Sequence, residues 1–293
     1  MGIAAELVLD ARAELGEGAI WNSREQVLYW VDITGCKVHV FDPATGADRI
    51  IPVGEPVGTI VPRRSGGAMI AVKRGFASLN LDTWEVRIVA DPEVHMPDNR
   101  FNDGKCDPAG RFWAGTMAMR GERKGKGSLY CLFPDLSVKR MLDGVTTSNG
   151  IAWSLDRKTM YYIDTPTLTV WAFDYDESSG SISNRRAAVS AGREMGYPDG
   201  MTVDEEGMIW VAYWEGWKVA RWDPRNGRLL ETVDVPAARV SSCAFGGPKL
   251  DTLYITTARG EGGPEDGKSQ PHAGGIFMAK PGARGVPAFE FAG

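Results

Sequence analysis

Six short apolar segments recur along the chain, each rich in aromatic or β-branched residues. They are VLYWVDI (27–33), GAMIAV (67–72), RFWAGTM (111–117), TMYYIDT (159–165), MIWVAYW (208–214) and TLYITTA (252–258). Runs of this length bounded by turn residues predict strands buried on both faces. After most of them comes a segment that alternates polar and apolar positions and ends in a turn, as in KVHVFDPATG (37–46) and WKVARWDPRNG (217–227). Before each stands a further apolar segment, joined to the middle one by a hairpin-like turn such as DPAGR or DEEGM. Outer strands are indicated at RIIPVG, VRIVAD, VKRML, RAAVSA and LLETVDV. A four-stranded unit repeated six times at a spacing of about 40–50 residues predicts an all-β fold, a six-bladed β-propeller. A β-sandwich with coincidental spacing is the alternative, and the sixfold recurrence counts against it. The strand 5–10 (AELVLD) has no unit of its own and is expected to complete the last blade. No linker or shift of composition divides the chain, so residues 1–293 read as a single domain.

Composition adds mainly exclusions. With 43% hydrophobic residues the chain can bury a large core, and 36 glycines and 17 prolines spread evenly match the many turns. A net charge of −5, from 33 basic and 38 acidic residues, leaves no basic field for nucleic acid. The N-terminus has early acids and no basic leader, so no secretory signal is expected. Glu6 stands where a myristoylation pattern needs Ser or Thr. No run approaches the ~20 apolar residues that span a bilayer, so no membrane partner is expected. Cys36, Cys106, Cys131 and Cys243 are scattered and read as buried free thiols in a reducing, cytoplasmic compartment. His39, His95 and His272 are the only histidines, which supplies a histidine zinc site or a Ser-His-Asp triad poorly.

One dipeptide recurs ahead of the predicted inner strands: Glu17-Gly18, Asp103-Gly104, Asn149-Gly150 and Asp199-Gly200. Blades two and six offer Val57-Gly58 and Cys243-Ala244 at that position, without a carboxylate. Arranged around a propeller axis, Glu17, Asn149 and Asp199 converge on one mouth of the channel. Two carboxylates and an amide oxygen, with no thiolate or imidazole, suit a hard divalent cation such as Ca²⁺, Mg²⁺ or Mn²⁺. Turn and capping duty is the alternative for each residue taken alone.

Arg100 and Asn102 are two apart on an extended segment and so point to one side. Aimed into a polar cavity, they suit a hydroxylated, partly anionic small molecule. A surface salt bridge accounts for Arg100 equally well. Asp103 alternates to the side opposite Asn102 and is expected to brace its loop through backbone amides. The charged, glycine-containing segment 118–126 (AMRGERKGK) reads either as a lid or as a solvated hairpin.

Several runs then carry a resemblance: LGEGAIW (15–21), NRFNDGKCDPAGRFWAGTMA (99–118), SNGIAWSLD (148–156), FDYDESSGSISNRR (173–186), PDGMTVDEEGMIWVA (198–212) and FGGPKLDTLYITTAR (245–259). In unbroken order they resemble the senescence marker protein-30 family, also called the regucalcin or gluconolactonase and luciferin-regenerating-enzyme-like family. The resemblance implies a six-bladed propeller with one divalent metal in the central channel, held by Glu17, Asn149 and Asp199. Ca²⁺ is the first expectation, with Mg²⁺, Mn²⁺ or Zn²⁺ as alternatives. It also implies sugar-lactone hydrolysis with Asp199 as the general base and Arg100 and Asn102 as substrate contacts. The expected partner is therefore a small sugar lactone, and the expected state a monomer or weak homo-oligomer. Animal members carry acidic residues directly after the GTMA stretch, where this chain has Met119 and Arg120 and a shorter loop. The preferred sugar stays open, and Glu122 is assigned no contact. A non-catalytic calcium-binding protein and a phosphotriesterase-type hydrolase using the same metal are the competing functions.

Overall fold

The computed structural model describes residues 2–260 and 270–293. Six antiparallel sheets follow one another along the chain. Their innermost strands are Gly16–Asn22, Val57–Pro62, Asn99–Cys106, Ser148–Trp153, Tyr197–Val203 and Val240–Gly246. Each pairs outward with its next strands in sequence, so the apolar segments of the repeat become the second strands of six propeller blades. All six of those second strands are almost wholly buried, which explains their apolarity on both faces. The alternating segments form the third strands. The outer strands fall where the sequence indicates them, and here exposed positions dominate.

The sixth blade is closed from the other end of the chain. Glu6–Leu9 pairs antiparallel with Ile276–Ala279, the place expected for the unassigned N-terminal strand. Ile3–Ala4 goes further, adding a parallel fifth strand to blade five through Ile3↔Val233 and Ala4↔Asp234. The N-terminus therefore ties the last two blades together. Apolar side chains fill the spaces between neighbouring blades; one cluster joins Trp21, Leu28 and Trp30 of blade one to Ala244, Tyr254 and Ile276 of blade six.

A repeated device stiffens blades three and five. Asp107 and Asp204, both fully buried, follow the inner strands in DPAGRFW and DEEGMIW. Asp204 Oδ1 accepts from the amides of Glu206 and Met208 at 3.0 and 2.9 Å, while Oδ2 accepts from Trp210 Nε1 at 2.9 Å and Arg221 Nε at 2.8 Å. Asp107 repeats the pattern with Ala109, Arg111 and Trp113. One carboxylate thus satisfies a turn and pins a core indole together. The four cysteines are free; Cys106, Cys131 and Cys243 are buried as expected, whereas Cys36 sits half-buried in a turn at φ 56°.

Asp204→Ala leaves two amides and the Trp210 indole N–H without their acceptor, and leaves Arg221 with Glu206 as its remaining partner. It is expected to lower the unfolding free energy by about 1–3 kcal/mol, read as a shift of the urea midpoint. A shift worth less than about 1 kcal/mol would show that the carboxylate does not hold the blade.

Candidate functional site

Every inner strand carries a β-bulge near its start. Pairing jumps from Phe101↔Thr116 to Gly104↔Ala114 in blade three, and from Ser148↔Asp164 to Ile151↔Tyr162 in blade four. In blade five it jumps from Pro198↔Tyr213 to Met201↔Val211, and in blade one from Glu17↔Val31 to Ile20↔Tyr29. Two residues then oppose one, the strand bends, and side chains are re-aimed toward the axis. The glycine of the recurring pair serves close approach between blades. A Cβ on Gly150 would lie 2.6 Å from the backbone oxygen of Asp199 on the neighbouring inner strand.

The bulges correct two expected positions. The residues displaced in blade three are Asn102 and Asp103, so Asn102, and not Asp103, is the register mate of Asn149 and Asp199. In blade six the bulge falls at Ser241, two residues before Cys243-Ala244, and Ser241 Oγ donates to Gly16 O at 2.5 Å. The extra residue also breaks the alternation expected of Asp103. Its Oδ1 accepts from Gly104 N at 2.7 Å, which is the loop-bracing role expected of it. Its charge nevertheless reaches Glu17 and Asp199, and Oδ2 is buried without a partner among the described residues.

Arg100, Asn102 and Asn149 are joined by hydrogen bonds, and the buried Glu17 and Asp199 carboxylates lie outside that network. Glu17, Arg100, Asn102, Asn149 and Asp199 are each no more than 8% exposed. Arg100 Nη1 donates to Asn102 Oδ1 at 2.6 Å and to Phe101 O at 2.9 Å. Asn102 Nδ2 donates to Ser148 O at 2.7 Å and to Asn149 Oδ1 at 3.1 Å. Arg100 is buried and forms no ion pair with any described residue, so the surface salt bridge does not account for it. Thr165, to which the sequence reading gave no role, holds Asn149 from behind. Its Oγ1 accepts from Asn149 Nδ2 at 2.7 Å and donates to Pro198 O at 2.9 Å, bridging blades four and five. That contact leaves the Asn149 carbonyl oxygen turned to the Asn102 side. Its only sequence signal was a threonine directly after the YYID run.

Electrostatics set the character of the site. Glu17 and Asp199 lie within hydrogen-bonding reach of one another although they come from blades one and five. Burial, with the nearby Asp103 charge, pushes the Glu17 carboxyl up to about 8. Burial and the Glu17 charge raise Asp199 strongly. Two carboxylates stripped of water either share a proton or meet a cation. Asp199 Oδ1 is buried and has no partner among the described residues. These residues fit a hard divalent cation: Glu17, Asp199 and the Asn149 oxygen supply all-oxygen donors, and an orphaned carboxylate oxygen faces the site. Below them the Lys105 ammonium donates to the Met201 carbonyl oxygen across the channel. The opposite mouth holds a separate cavity of about 70 Å³, walled by Trp21, Trp153, Phe245 and Phe289, away from the carboxylates.

The profile of the SMP-30/Gluconolactonase/LRE-like region matches residues 15–259, and the chain belongs to that family. A regucalcin of Xenopus laevis is 42% identical, with 99% of each chain covered. A putative sugar lactone lactonase, YvrE of Bacillus subtilis, is 41% identical over 99% of each chain. A calcium-binding protein, regucalcin, from Agrobacterium tumefaciens superposes with a TM-score of 0.92 at 25% identity, covering 100% of this chain and 98% of its own. Among the described residues no helix is long and apolar enough to cross a membrane.

The raised Glu17 carboxyl has a stability consequence. Its ordinary value is 4.5 and its folded value about 8, so the metal-free folded state binds the extra proton between those pH values. Stability of the metal-free protein therefore falls as pH rises from about 5 to about 8. Thermal melts should show this slope, and Glu17→Gln should flatten it. A Glu17→Gln slope equal to that of the native chain would remove the assignment.

Proposed function

We propose that this chain is a metal-dependent hydrolase that opens an aldonolactone to its aldonic acid. The observation that carries the reading is the buried Glu17–Asp199 pair, with Asp199 Oδ1 unpartnered, set beside the Arg100–Asn102–Asn149 hydrogen-bonded network. Membership of a family that includes gluconolactonases, and similarity to a putative sugar lactone lactonase, support it. A divalent cation held by Glu17, Asn149 and Asp199, Ca²⁺ first, would supply Lewis-acid polarisation of the lactone carbonyl when bound.

The remaining steps belong to the chain's own residues. Asp199 takes a proton as the attacking water's oxygen bonds to the carbonyl carbon. The ring C–O bond then breaks, and the proton passes from Asp199 to the ring oxygen, which leaves as a hydroxyl. Arg100 and Asn102 orient the ring hydroxyls, and burial of the pocket keeps bulk water from competing for those donors. Thr165 positions Asn149 through its amide nitrogen. The free cysteines support a reducing, cytoplasmic setting.

The name of the calcium-binding relative favours a second reading, in which the chain binds calcium without catalysis. Chelator-stripped protein assayed by pH fall on a panel of aldonolactones separates the two. Turnover is expected to vanish on stripping and to return with one of Ca²⁺, Mg²⁺, Mn²⁺ or Zn²⁺. Tight metal binding with no turnover on any lactone would select the binding reading. Asp199→Asn is expected to lower kcat by about 100-fold or more and to weaken metal retention. Full turnover with full metal content in that variant would end the assignment of Asp199.

A further inference from the structure

We propose that segment 285–293 is a stopper that closes the far mouth of the channel, so that any cation or small molecule reaching Glu17 and Asp199 enters and leaves by the carboxylate mouth. The stopper is a property of the fold, whichever reaction the site performs. Each inner strand runs from the carboxylate mouth to a hairpin turn on the far face, and the segment touches the turns of all six blades. Gly285 forms a bridge to Asp204 of blade five, and its N–H donates to Leu250 O of blade six at 2.7 Å. Arg157 of the blade-four turn stands over the Phe289 ring, 6.0 Å from its centroid. The Glu290 carboxylate pairs with Arg24 Nε of blade one at 2.8 Å. Phe291 bridges to Arg63 of blade two; its N–H donates to Pro62 O and its carbonyl accepts from Arg64 N, both at 2.9 Å. Ala292 N donates to Gly110 O of the blade-three turn at 2.9 Å. In a ring of six, blades five and six lie opposite blades two and three, with blades one and four on either side. A segment that meets them in this order crosses the axis.

The channel side shows what the segment covers. Val286–Phe289 wall the cavity of about 70 Å³, and the remaining walls include the far ends of inner strands, at Trp21, Cys106, Trp153, Val203 and Phe245. All five are buried although they stand at the end of a channel. Phe291 is fully buried in the core shared by blades one to three, and Ala288 and Phe289 pack against the same core. Apolar burial therefore holds the segment down in addition to its hydrogen bonds. Lys105 also lines the cavity, and its ammonium donates to Met201 O across the channel from blade three to blade five.

The test uses Cys106 as a reporter, because access as well as ionisation governs thiol reactivity. Folded protein is treated with methyl methanethiosulfonate, and modified cysteines are located by peptide mass spectrometry. In the native chain Cys106 is expected to stay unmodified over the period in which the half-buried Cys36 reacts. Phe289→Ala removes part of the cover and leaves the anchors on the other blades in place. It is expected to raise the Cys106 rate by about tenfold or more, and a chain stopped after Arg284 should raise it further. Cys131, buried and not in the cavity wall, is the control for unfolding. A rise at Cys106 without one at Cys131 supports the stopper. Native Cys106 reacting as fast as Cys36 overturns it, as does a Phe289→Ala rate that is unchanged or a rise that Cys131 shares. If the shortened chain exposes Cys106 and Cys131 together it has unfolded, and Phe289→Ala alone decides.

Discussion

Two carboxylates buried side by side in the channel are the constraint around which the rest is arranged. Glu17 and Asp199 come from blades one and five, and burial together with neighbouring negative charge raises both carboxyls above their ordinary values. Their meeting depends on ring closure. The strands 6–9 and 3–4, which complete blade six and extend blade five, are therefore as much a part of the site as its acids. A propeller lets this happen because its inner strands start at one mouth and stay close enough for backbone of one blade to touch the next. Gly150, packed on the Asp199 carbonyl, shows how little space remains there.

Around the acids, donors and acceptors are assigned with few left over. Thr165 fixes Asn149, Asn102 links Asn149 to Arg100, and Asp103 caps Gly104. Two buried oxygens of this cluster, on Asp199 and Asp103, are left without partners among the described residues. Buried polar atoms are ordinarily satisfied, and two unpartnered carboxylate oxygens close together are compatible with a bound cation.

Much of this was legible in the chain before any coordinates. Apolar runs such as VLYWVDI and MIWVAYW can only be strands buried on both faces, and their sixfold return with turn residues between them specifies the blades. The orphan segment AELVLD had one unfilled place to go. The oxygen–glycine pairs led to Glu17, Asn149 and Asp199 near the starts of their inner strands, although the blade-one bulge displaces Gly18 and Ala19 and so leaves Glu17 one place out of that register.

Tertiary structure decided the rest, because it depends on partners far away in sequence. Strand alternation put Asp103 opposite Asn102, but a bulge inserts one residue and resets that alternation, and bulges form only against a paired strand. Thr165 acquires its role because Pro198 of the next blade lies across from it. Local patterning determines which strands form and which face is apolar; which oxygens and charges share one volume is set by closure of the ring, where packing between blades outweighs any preference along the chain.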